Sequence, residues 1–81
     1  MKITWPGASK NIIGQRVRTL RTAQGLSQRQ LAEKLQLMGL DSSDLMILRI
    51  ESGKRFVADF ELRALAGALD TSYQYLLDGK P

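Results

Sequence analysis

Arg29, close after Ser27 and Gln28, and Arg49, Lys54 and Arg55, with Ser52 among them, are residues of this 81-residue sequence whose types can hold a polyanion. Amides and guanidinium groups present paired donors that match phosphate oxygens or the acceptor edge of a base, while a lysine supplies a point charge. Twelve Lys+Arg against eight Asp+Glu leave a net charge of +4, a balance that suits such a partner. The same composition removes competing chemistry. With no Cys and no His there is no disulfide, no thiolate or imidazole zinc site, and no Cys/His or Ser/His/Asp catalytic group. The expectation is therefore a protein without enzymatic activity, metal or cofactor. Asp41 and Asp44, the one acidic pair that invites a Mg²⁺ reading, are better explained as helix caps or surface acids.

These residues need helices to position them. The length corresponds to one domain with a single modest core and no separate effector-binding domain. The expected layout is an N-terminal arm over 1–8, an all-α five-helix domain over 9–78 and a tail over 79–81. Trp5-Pro6-Gly7 stops the arm, because Pro6 holds Trp5 extended and Gly7 favours a turn. Ser9 then caps a first helix with Ile13, Val17 and Leu20 on its apolar face, closed by Gly25 in the left-handed region. Ser27 and Gln30 have the spacing of a capping box, opening a second helix that buries Leu31, Ala32 and Leu35 and runs to Met38 before Gly39. Ser43 is the expected cap of a third helix over 44–52. There Ile47, Ile50 and Glu51 share one side while Leu45, Arg49 and Ser52 point the other way. A fourth helix spans about 58–69 with Leu62, Leu65, Ala66 and Leu69 inward, and Glu61 near its start complements the dipole. A fifth begins at Thr71 or Ser72 and carries Tyr73, Leu76 and Leu77. No apolar run reaches the length of a membrane span, and the first residues have neither signal-peptide nor transit-peptide character, so a cytoplasmic protein is expected.

Several pieces match a known pattern in order and spacing. They are Ile13-Gly14-Gln15-Arg16-Val17-Arg18 with Leu20-Arg21, Leu26-Ser27-Gln28 with Leu31-Ala32 and Leu35, Arg49-Ile50-Glu51-Ser52-Gly53-Lys54-Arg55, Leu62 with Leu65-Ala66 and Leu69, and Leu76-Leu77. From about Asn11 to Gly79 the chain resembles the lambda-repressor-like, Cro and xenobiotic-response-element type helix-turn-helix family. The resemblance implies a regulator of bacterial, phage or mobile-element type that binds double-stranded DNA with its third helix in the major groove, commonly as a homodimer. It also implies that Arg21 pairs with Glu51 between helices one and three. A carboxylate on the same side as Ile47 and Ile50 needs such a partner on physical grounds as well. Gln28 is implied to hold a phosphate through its side chain and the free N–H groups at the start of helix two, with Ser27 beside it. Arg29, Lys54 and Arg55 are the expected phosphate neutralisers.

Two departures stand out. The link over 36–42 is about one helical turn longer than a minimal helix-turn-helix turn. The third helix reads Asp44-Leu45-Met46-Ile47-Leu48-Arg49, where the family commonly shows polar residues. Arg49 is its one strong base reader, with Ser42, Ser43 and Ser52 as weaker ones. Asp44 would repel phosphates, and Leu45 and Leu48 can touch thymine methyl groups. An alternative reading makes Leu45, Met46 and Leu48 an apolar patch for a protein partner or a second copy, and their exposure discriminates between the two. For a dimer contact the spare apolar material is the Trp5 arm, Leu37-Met38, or Tyr73, Tyr75 and Leu76.

Overall fold

The computed structural model describes residues 9–80, so the expected arm with its Trp5-Pro6-Gly7 stop, and Pro81, lie outside the described residues. Among the described residues five helices follow one another: α1 (Gly14–Ala23), α2 (Gln28–Leu37), α3 (Asp44–Glu51), α4 (Asp59–Ala68) and α5 (Tyr73–Asp78). Val17 from α1, Leu31 and Leu35 from α2, Ile47 and Ile50 from α3, Leu65 from α4 and Leu76 from α5 meet in one core. Leu69, at the C-cap of α4, completes it. No helix among the described residues is long and apolar enough to cross a membrane.

The start of α1 corrects the sequence expectation. Ser9 is not its cap; its hydroxyl donates to the Asn11 carbonyl, and the helix opens four residues later than the Ser9 cap implied. Asn11 does the capping instead, its Oδ1 accepting from the Ile13 and Gly14 amides at 3.2 and 2.8 Å. Its Nδ2 reaches across to the carbonyls of Ile50 and Arg55 at 3.0 and 2.9 Å. One amide thus fastens the beginning of α1 to the end of α3. At the other end of α1, Gly25 has φ +72, and the Gly25 and Leu26 amides return to the Thr22 and Arg21 carbonyls.

Between α2 and α3 the long link is anchored. Ser42 is buried, and its hydroxyl donates to the carbonyls of Ala32 at 2.8 Å and Leu40 at 3.2 Å, while Gln36 donates to the Ser42 carbonyl. The extra residues are therefore tied to α2 and hold α3 in place. Ser43 caps α3 as expected, accepting from the Met46 amide.

Glu61 belongs to the interior, and a role limited to complementing the dipole understates it. Its carboxylate accepts from both terminal nitrogens of Arg55 at 2.9 and 3.0 Å and from the Ala58 amide at 2.9 Å. The Arg55 hydrogen bonds hold its pKa below the usual carboxylate range, outweighing the opposing effect of burial. Because the folded value lies below the unfolded one, the stabilisation is complete above the unfolded pKa and is lost as pH falls through the folded value. Melting temperatures of wild type and Glu61→Gln should accordingly differ at neutral pH and converge in acid.

Candidate nucleic-acid interface

One carboxylate links α1, α2 and α3. Glu51, at the end of α3, receives the Arg21 Nε at 2.6 Å and a terminal Arg21 nitrogen at 3.0 Å, with side-chain exposures of 4% for Glu51 and 11% for Arg21. The remaining Arg21 nitrogen donates to the Leu26 carbonyl, and Gln28 Nε2 donates to Glu51 Oε1 at 3.2 Å. The end of α1, the start of α2 and the end of α3 therefore converge on one charge. The hydrogen-bonded carboxylate raises the Arg21 pKa above its ordinary value, so the guanidinium keeps its charge.

Around this clamp the exposed surface divides into three parts. At the N-terminus of α2 the capping box is complete: the Ser27 hydroxyl accepts from the Gln30 amide, and Gln30 accepts from the Ser27 amide. The Gln28 and Arg29 amides, at the first two helical positions, have no intrahelical acceptor and stand at the positive end of the dipole. On α3, Met46, Ile47 and Ile50 are buried, whereas Leu45 and Leu48 are each 48% exposed, and Asp44, Arg49 and Ser52 are exposed. At about 100° per residue, Leu45, Leu48, Arg49 and Ser52 fall within an arc of roughly 100°. Beyond α3, Lys54 is exposed, and its amide closes back on the Arg49 carbonyl at 2.8 Å.

Three sequence-level assignments change. Ser42 leaves the set of base readers, because its hydroxyl is buried and spent inside the link. Arg55 is bound bidentately to Glu61 and donates to the Phe56 carbonyl, so it is a structural cation rather than a free one. Met46 is only 8% exposed, which reduces the three-residue apolar patch of the alternative reading to Leu45 and Leu48. Gln28 keeps a place, with a qualification in its geometry: one hydrogen of its amide is committed to Glu51, and the second is available. Asn11 and Arg16 were missed in the sequence. Arg16 donates to the Leu76 and Leu77 carbonyls and so seats the end of α5. Neither has a sequence signature beyond being polar near a helix start or on an exposed helix face.

A five-helix all-α unit with a capped α2 packed on α3, and α3 turning a partly apolar, partly basic face outward, defines a helix-turn-helix domain. The chain belongs to the helix-turn-helix family, whose model matches residues 17–76. Among solved structures it is similar to the P22 c2 repressor protein, seen in complex with synthetic operator 9T in the presence of Tl⁺. That similarity has 27% identity and a TM-score of 0.73, and covers 86% of this chain and 98% of that one. No curated protein matches the chain.

Proposed function

We propose that this protein is a sequence-specific DNA-binding transcriptional regulator of bacterial, phage or mobile-element type, working in the cytoplasm by occupying operator DNA. The observation that carries this reading is the exposed face of α3 together with two features suited to phosphate near its end, the free amides of Gln28 and Arg29, joined to α3 through the Gln28–Glu51 hydrogen bond, and the exposed Lys54. Phosphate contacts orient such a domain, and base-edge contacts select the sequence. Arg49 reads a base, with Ser43, Asp44 and Ser52 at the edges of the same face; Ser27, Gln28, Arg29 and Lys54 hold the backbone. The similarity to an operator-bound repressor supports the same reading.

Binding as a homodimer fits the reading, since a twofold pair sets its recognition helices about 34 Å apart on one side of the duplex. Leu37, Met38 and Tyr73 are exposed apolar material for that contact, whereas Leu76 is fully buried and Tyr75 half-buried.

Selection of bound sequences from random duplex DNA tests the proposal and reports motif and palindromy together. Arg49→Ala should cost about 1–3 kcal/mol of affinity and relax preference at one base pair. Lys54→Ala should weaken all sequences alike and make the salt slope shallower by about 0.9. Recovery of no motif, with Arg49→Ala silent, contradicts specific regulation.

A further inference from the structure

Leu45 and Leu48 lie at the centre of the exposed α3 face, flanked by Asp44, Arg49 and Ser52, and each keeps about half its surface in water. If the α3 face is the one that enters the major groove, as proposed above, both leucines come to lie against base edges. Of the groups that bases display there, the thymine C5-methyl is the apolar one; the others are hydrogen-bond donors and acceptors that a leucine would strip of water without replacing it. Three residues of α-helix advance about 4.5 Å along the axis, against about 3.4 Å per base step along each strand. The two side chains are therefore spaced to meet neighbouring base pairs when the helix runs along the groove. From this we infer that the half-site read by this protein contains two adjacent base pairs whose thymine methyls pack on Leu45 and Leu48, beside a guanine read by Arg49. The inference rests on the DNA-binding reading and specifies its substrate: at these two positions recognition depends on a methyl group rather than on a hydrogen-bond pattern.

The test begins with a duplex recovered by selection and replaces its thymines one at a time with deoxyuridine, which removes the methyl and leaves base pairing intact. At two neighbouring positions of each half-site affinity should fall about fourfold, corresponding to roughly 0.8 kcal/mol per buried methyl; other thymines should be indifferent. Leu45→Ala and Leu48→Ala should each abolish the uracil effect at one of the two positions, with unchanged melting temperatures because both side chains are half exposed. Selective binding that tolerates deoxyuridine everywhere, or a uracil effect that survives both substitutions, overturns the inference while leaving the regulator reading intact. Binding that is equal for selected and random duplexes overturns both.

Discussion

Replacing Glu51 with alanine should lower the stability of the folded protein by about 3 kcal/mol, the scale on which removing one partner of a buried ion pair acts. Three donors lose their acceptor at once: two Arg21 nitrogens and Gln28 Nε2. Arg21, with only 11% of its side chain exposed, is left as an uncompensated charge in the crevice between α1 and α3. Because the damage comes from the stranded cation, removing both partners in Arg21→Met/Glu51→Leu should recover much of the loss. Urea unfolding checks this through the midpoint, with an unchanged m-value showing that the effect is on stability alone. A Glu51→Ala midpoint equal to wild type refutes the clamp. DNA affinity should fall in the single mutant as a consequence, since Glu51 ties α2 to α3.

Gly14→Ala should destabilise the fold by about 2 kcal/mol, within the range for forcing a methyl group into a packed interior. A Cβ on Gly14 would clash with the carbonyl oxygen of Ile50, which also accepts the Asn11 amide. The neighbour is backbone in the last turn of α3, so relief requires α1 and α3 to separate and the Asn11 bond to lengthen. Exchanging glycine for alanine inside a helix normally gains about 1 kcal/mol, but Gly14 is the first helical residue of α1, where that gain is smaller, and the clash prevails. A domain of this size should then melt roughly 10 °C lower. A melting temperature at or above that of wild type would show that the two helices have room to spare.

The parts of this fold that local chemistry dictates were legible in the sequence. The Ser27–Gln30 capping box, the Ser43 cap and the left-handed Gly25 follow from neighbours a few residues apart, and each occurs as the residue types require. The Arg21–Glu51 pair was legible for another reason: a carboxylate on the apolar side of α3 must find a cation, and the family resemblance pointed to Arg21 as that cation. What escaped depends on contacts between distant segments. Nothing local distinguishes Asn11 from Ser9 as the cap of α1; the choice is made by the carbonyls of Ile50 and Arg55, which Asn11 alone is placed to satisfy. Arg55 read as a free cation beside Lys54 because its partner, Glu61, read as a dipole residue on another helix. Ser42 and Ser43 are identical in type and adjacent, yet one is buried in the link and the other caps α3. In the candidate site, the residues that stay exposed on α3 were predictable from helical periodicity, apart from Met46, which joins the core.

On the proposed reading, the exposed face of α3 confers sequence-specific binding to duplex DNA. A competition titration tests it most directly: a labelled duplex recovered by selection is displaced by the same sequence unlabelled, or by a scrambled duplex of equal length and composition, at one fixed salt concentration. Specific regulators separate such competitors by about 10³-fold or more, and a separation of that order is expected here. Equal displacement by the two duplexes would contradict it.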